Sequence, residues 1–305
     1  MLEIATQTLG MSAIQWDYII GGLALFLFGI DFMGDGLKKL AGEKLKDYID
    51  KFTNKPWKGM IVGCIVTCLI QSSSATSSIA IGFVRAGLMT LEQSVGIIIG
   101  ANIGTTITAF LIGLKVEALA LYFVFLGVLI QLFAKRKKTR YMGDILFGFG
   151  VLFFGLRLMG DELSILGDMP FFTDIAIAMQ NMPWIGFVLG IGMTAVVQSS
   201  SAVVGIIQKI YDSGALTLSA CLPFVFGSSI GTTITGVIAS IGGSTSARRS
   251  ALINVLYNTF GAVVFMFVLT PYTAFITYLS EMFEIAPMMQ IAVAHIIRAS
   301  IIALI

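Results

Sequence analysis

Two short stretches carry the most chemistry in this 305-residue chain. Gln71-Ser72-Ser73-Ser74-Ala75 and Gln198-Ser199-Ser200-Ser201-Ala202 each place an amide and three hydroxyls inside an apolar segment. Serine is a strong helix N-cap, so the first run can end one half-helix and begin the next at about Ala75. A helix start leaves backbone N–H groups unbonded and carries partial positive charge, which suits an anion. Two more stretches interrupt the segments that come next: Asn102-Ile103-Gly104-Thr105-Thr106 and Ser228-Ser229-Ile230-Gly231-Thr232-Thr233. Gly104 permits unusual dihedrals there, and Thr105 can cap a helix beginning after it. Freed carbonyls beside Ser and Thr oxygens suit a hard cation such as sodium. No Lys, Arg or His lies within the two serine tips. A dianion in so apolar a setting needs compensation, and co-bound cations would supply it, so cation-coupled symport is the expectation. A serine hydrolase needs a base beside the nucleophile. His295 is the single histidine and cannot serve both tips. No enzyme and no cofactor are therefore expected, sodium acting as coupling ion.

The elements holding these runs occur twice. Pro56–Trp57, Gln71–Ala75 and Ile103–Thr108 recur at a constant offset of 127, as Pro183–Trp184, Gln198–Ala202 and Ile230–Thr235. Aligned without gaps, 56–113 and 183–240 share 21 of 58 residues, many of them Gly, Ser, Thr and Gln. Lipid-facing composition alone does not produce such matches. Upstream, Phe28-Gly29 and Met33-Gly34-Asp35 match Phe154-Gly155 and Met159-Gly160-Asp161 at offset 126. Duplicated halves in an apolar chain mark many transporter folds.

Composition sets the solvent. Hydrophobic types make up 57% and charged types 12%, with a mean hydropathy of +0.93. That polar surface is too small to coat a soluble particle, so the expected class is an all-α polytopic membrane protein. The net charge of +2 argues against nucleic acid as a partner. The three Cys exclude a disulfide scaffold, and Cys64 and Cys68 read as small packing residues. No cleavable signal peptide is expected.

The expected first repeat is 1–134, with hairpin 59–85, broken helix 88–114 and span 115–134, preceded by a span at 16–37. The expected second repeat is 135–305, opening with a span at 141–160. It continues with hairpin 184–212, broken helix 214–241 and spans 250–270 and 286–305. Basic residues favour the cytoplasmic side. The loop 38–58 holds seven Lys, 135–140 reads Lys-Arg-Lys-Lys-Thr-Arg, and 242–249 ends in Arg248–Arg249. The stretch 161–182 holds four acids and no base. If 59–85 crossed the bilayer, the basic loops 38–58 and 135–140 would lie on opposite faces. If it dips in and returns, both are cytoplasmic. The same holds for 184–212. Two inverted-topology repeats are thus expected, each with a re-entrant helical hairpin and a broken transmembrane helix.

These motifs resemble the type II sodium/phosphate cotransporter family, whose signature is the paired Gln-Ser-Ser-Ser. The resemblance covers about 20–300. It implies sodium-driven uptake of inorganic phosphate across the inner, cytoplasmic membrane of a bacterial cell. It places phosphate on Gln71, Ser72, Ser73, Ser74, Gln198, Ser199, Ser200 and Ser201. Sodium is expected on Asn102, Thr105, Thr106, Ser228, Ser229, Thr232 and Thr233. Membrane lipid, a homodimer partner and a cytoplasmic phosphate-signalling regulator complete the expected partners. Transport of another oxyanion, or phosphate sensing without transport, are the alternatives. The sequence departs from the family where Asn254 and Tyr257–Asn258 stand for its His and Phe-Asn. Near the end, His295 fits a second such motif, but Arg298–Ala299 replaces Phe-Asn. Bacterial relatives often continue into a cytoplasmic helical domain, which is expected to be missing after Ile305.

Asp31 and Arg157 are equivalent intramembrane charges, expected to pair across the pseudo-symmetry axis or to flank the cavity. His295 reads as a packing residue. Residues 38–58 read as a basic amphipathic stretch on the cytoplasmic leaflet. Glu92 and Lys209 are expected to face water.

Overall fold

The computed structural model describes residues 14–41, 55–167 and 169–305, and all secondary structure within them is helical. Most of the basic stretch 38–58 lies outside the described residues. Six helices are long and apolar enough to cross a membrane: Trp16–Ala41, Leu91–Gly113, Lys137–Gly160, Leu218–Ser240, Thr245–Phe267 and Pro287–Leu304. The chain is a multi-pass helical membrane protein.

The first half runs α1 (Trp16–Ala41), α2 (Pro56–Ile70), α3 (Ser73–Arg85), α4 (Leu91–Gly104), α5 (Thr106–Gly113) and α6 (Ala120–Phe133). The second runs α7 (Lys137–Gly167), α8 (Pro170–Asn181), α9 (Pro183–Val197), α10 (Ser200–Asp212), α11 (Leu218–Gly231) and α12 (Ile234–Ser240). It ends with α13 (Thr245–Phe267), α14 (Leu269–Met282) and α15 (Pro287–Leu304).

Glycines set how the helices cross. A Cβ on Gly22 would strike Gly155 and Met159, and one on Gly29 would strike Gly148 and Leu152. Contacts that rise along α1 while falling along α7 make this an antiparallel crossing at backbone distance. Phe26, Met33, Leu152, Phe153, Leu156 and Met159 fill the space around it. Close approach through small residues is how helices gain packing where lipid is as apolar as the side chains.

The chain doubles back at each serine run. Gly96 meets the Pro56 carbonyl, and Gly100 meets Met60 and Cys64. Hence α4 lies parallel to α2, with their starts level. Yet α3 ends at Arg85, only a short turn before α4 begins, so α3 must return along α2. The hydroxyl of Thr67 bonds that of Thr76 across this hairpin at 2.9 Å. The second half repeats the plan: Gly190 meets Phe224, and Gly227 meets Phe187 and Ile191.

Three features depart from the expected outline. Much of the acidic stretch 161–182 is helical, since α7 continues to Gly167 and α8 runs from Pro170 to Asn181. Chain bending at Met182 turns α8 by 110° against α9, with Pro183 at the new helix start. The stretch after 270 is also a helix. Pro271 sits in the first turn of α14, where no N–H is needed, and Tyr272, Ile276 and Ser280 form its buried stripe. Finally, the breaks at Thr105 and Thr232 are shallow. Both residues keep helical dihedrals, and Leu91–Gly113 and Leu218–Ser240 each count as one span of 23 residues. Gly104 has no positive φ; it serves close packing, since a Cβ there would collide with Cys64 and Thr67.

Candidate functional site: a cavity between two serine tips

Both serine runs are built alike. Gln71 and Gln198 take left-handed dihedrals, φ 58° and 57°, and end α2 and α9. Left-handed backbone is uncommon outside glycine, so its occurrence at both glutamines marks a demanding turn. The next residue is extended and caps the helix after it: Ser72 Oγ accepts from the Ala75 N–H at 3.1 Å, and Ser199 Oγ from Ala202 at 3.3 Å. The new helices therefore begin at Ser73 and Ser200, two residues before the start expected at Ala75. The first-turn N–H groups of Ser73, Ser74, Ser200 and Ser201 have no intrahelical acceptor. Of the four half-helix starts expected, only these two are true starts with side-chain caps.

The two tips face one another. A cavity of 420 Å³ is lined by Gln71, Ser72, Ser73, Ser74, Gln198, Ser199, Ser200 and Ser201 together. Thr105 and Thr232 reach it as well. Ser74 Oγ lies 2.9 Å from Thr232 Oγ1, tying the first tip to the second half. The other expected cation residues stand back from this cavity. Asn102 borders a separate small one. The hydroxyls of Thr106, Ser228 and Thr233 bond the carbonyls three residues before them, of Ile103, Val225 and Ile230. Ser229 accepts a hydrogen bond from Arg298.

The tips differ in one respect. The Gln71 amide is committed: its Nε2 donates to Cys68 O at 2.5 Å, and its Oε1 accepts from Thr108 at 2.7 Å. Gln198 is exposed to the cavity, and the equivalent Thr235 bonds Thr232 O instead.

Asp31, Asp35 and Lys38 line the same cavity. Their spacing on α1 puts them on one helical face, a pattern present in the sequence that singling out Asp31 alone left incomplete. Arg157 is exposed on α7 and does not line the cavity. Among the described residues Asp31 and Arg157 form no ion pair, because the antiparallel crossing places them away from each other. Lys209 is a second correction. It is buried over Gly160, and its Nζ donates to both Glu117 carboxylate oxygens at 2.8 and 2.9 Å. Lys115 pairs with Asp212 alongside at 2.5 Å. The hydrogen-bonded pair holds Lys209 out of water. Glu92 is exposed and His295 buried.

A multi-pass bundle enclosing a polar, hydroxyl-rich cavity defines the class as a membrane protein with an interior solute site. The chain belongs to the Na+/Pi-cotransporter family, whose profile matches residues 25–161 and 170–291. It is 29% identical over 258 residues to the uncharacterized protein YqeW of Bacillus subtilis, covering 85% of this chain and 84% of that one. It is 22% identical to the putative inorganic phosphate export protein YjbB of Escherichia coli, over 82% of this chain and 46% of that one. A 109-residue stretch, 34% of this chain, is 33% identical to the rat sodium-dependent phosphate transport protein 2A, of which it covers 17%. The chain thus spans less than half the length of those two relatives. No solved structure gives a significant match.

Proposed function

We propose that this protein is a sodium-coupled transporter that takes up inorganic phosphate across the cytoplasmic membrane. One observation carries the reading: both Gln-Ser-Ser-Ser tips, 127 residues apart in sequence, line one cavity with their helix starts and hydroxyls. A tetrahedral oxyanion there would accept from the free N–H groups of Ser73, Ser74, Ser200 and Ser201 and from their hydroxyls. Gln198 would add an amide donor, while the Gln71 amide shapes the first tip. Family membership and the names of the relatives support phosphate as the oxyanion.

Sodium coupling rests on charge. The cavity's own ionic side chains are Asp31, Asp35 and Lys38, a net negative set. An entering phosphate adds negative charge where water is scarce, so cations must enter with it. The oxygens of Ser74, Thr105, Thr232 and Asp31 are at hand for a hard cation. They form a narrower set than the seven residues expected from sequence.

The transport cycle is that of inverted repeats. Supporting this, the α1–α7 crossing is isologous: Gly22 meets Gly155 while Gly29 meets Gly148, and each pair joins non-equivalent members of the repeat. In an antiparallel crossing, such exchange describes a two-fold axis perpendicular to the helices, lying in the membrane plane. The hairpins α2–α3 and α9–α10 would then dip in from opposite faces, and rocking of one half against the other would open the cavity alternately. Phosphate flux into proteoliposomes, with sodium gradients of either sign, tests the reading. Inward sodium should drive accumulation, and Ser73→Ala and Ser200→Ala should each lower it. Flux indifferent to sodium rejects the coupling, phosphate efflux against inward sodium rejects the direction, and full activity of both variants removes those serines from the site.

A further inference from the structure

The interior holds a positive charge with no anion beside it. Arg298, on α15, is 6% exposed, and no carboxylate among the described residues lies within ion-pair distance of it. Its Nη2 donates to Ser229 Oγ at 2.5 Å, its guanidinium carbon stands 5.5 Å from the Phe226 ring centroid, and its Nε has no partner. A guanidinium inside a membrane protein is costly and calls for an electrostatic use.

Position supplies that use. Ser229 is the repeat equivalent of Asn102, since both lie at the constant offset of 127. Arg298 reaches both: it bonds Ser229 and borders, with Asn102, Tyr257, Asn258 and Gly261, a cavity of about 10 Å³. That space holds roughly one water. Asn102 and Ser229 are two of the residues whose oxygens were expected to bind sodium. The Ser229 hydroxyl already accepts from Arg298 and donates to Val225 O. A metal ion there would meet a like charge already in contact with its ligand. Three residues on, just past the end of α11, Thr232 lines the main cavity and touches Ser74. The residue that the guanidinium bonds, Ser229, thus lies three positions from Thr232 at the wall of the substrate cavity.

We propose that Arg298 is a resident cation that takes the place of one coupling ion, so that the protein moves fewer sodium ions per phosphate than its duplicated polar breaks could bind. The inference rests on the transport reading above and deepens it. It also accounts for Asn102 and Ser229 standing away from the main cavity.

The test is the sodium-to-phosphate flux ratio, with the steepness of sodium activation, in proteoliposomes. Wild type and Arg298→Lys should share one ratio. Arg298→Gln should carry about one more sodium per phosphate, because a single elementary charge has been removed. Arg298→Gln with wild-type ratio and steepness overturns the proposal. If Arg298→Gln does not fold, Asn258→Asp decides: a carboxylate placed beside the guanidinium neutralises it in place and should raise the sodium requirement in the same way. An unchanged requirement in Asn258→Asp likewise overturns the proposal. Wild-type phosphate flux without sodium dependence refutes the sodium-coupled reading itself, and this inference with it. Unchanged variants of a sodium-driven wild type refute this inference alone.

Discussion

At the residue scale, the two glutamines show how identical motifs take different duties. Gln71 and Gln198 share a left-handed backbone, yet only Gln71 ties its amide into the protein, through Cys68 and Thr108. The difference arises one layer out, where Thr108 turns to Gln71 while Thr235 turns to its own helix. Gln71→Ala should therefore lower stability by about 1–3 kcal/mol, since it leaves buried partners unsatisfied. Gln198→Ala should change stability little and act on phosphate affinity instead. Thermal unfolding in detergent, read beside phosphate binding, separates the two; equal melting shifts would contradict this division. The same scale decides the charged residues. Asp31 as a cavity residue is legible from its helical position. Burial of Lys209 was not, because its partner Glu117 comes from a connection 92 residues earlier.

At the element scale, the crossing of α1 and α7 is the most exacting contact. A Cβ on Gly29 would meet the backbone of Leu152 and Gly148, which cannot rotate away as a side chain could. Gly29→Ala and Gly148→Ala should each cost at least the roughly 1–3 kcal/mol of overpacking, and they should lower the melting temperature. Gly82, with no atom within 4 Å of an added Cβ, provides the control: Gly82→Ala should be tolerated. Helix propensity favours alanine over glycine, so a loss at Gly82 similar to those at Gly29 and Gly148 would contradict close approach as the cause. The shallow breaks at Thr105 and Thr232 also belong here. Glycine before a pair of threonines reads as a break, but each helix keeps its hydrogen bonds because Gly104 and Gly231 lie against α2 and α9, which reward continuity.

At the scale of the whole molecule, the charge pattern becomes a topology. Fifteen of the 19 Lys and Arg fall on one side if both hairpins return to the face they enter from. In a variant lacking Cys64, Cys68 and Cys221, a cysteine at Lys137 should be silent to a membrane-impermeant thiol reagent applied to whole cells. A cysteine at Asp174 should react. The opposite result would invert the assignment and with it the direction in which the cavity opens. The ion pairs of Lys209 with Glu117 and Lys115 with Asp212 join α10 to the α5–α6 connection. The equivalent contact in the other half sets Arg85 against Gly243, with no acid there. The two hairpins are thus anchored unequally.

Sequence by itself determined the solvent, the duplication and the identity of the two serine tips. Each is written in local composition or in a repeat offset, and none needs a distance to be read. It also located the turns, because a serine cap acts on the helix immediately after it. Only the tertiary structure decided that the tips share a cavity, that Asp35 and Lys38 join Asp31 there, and that Arg298 stands behind Ser229. Those facts join residues far apart along the chain, and they depend on how closely the glycine-lined helices approach. Helical periodicity gives each side chain a direction but not the neighbour it will meet.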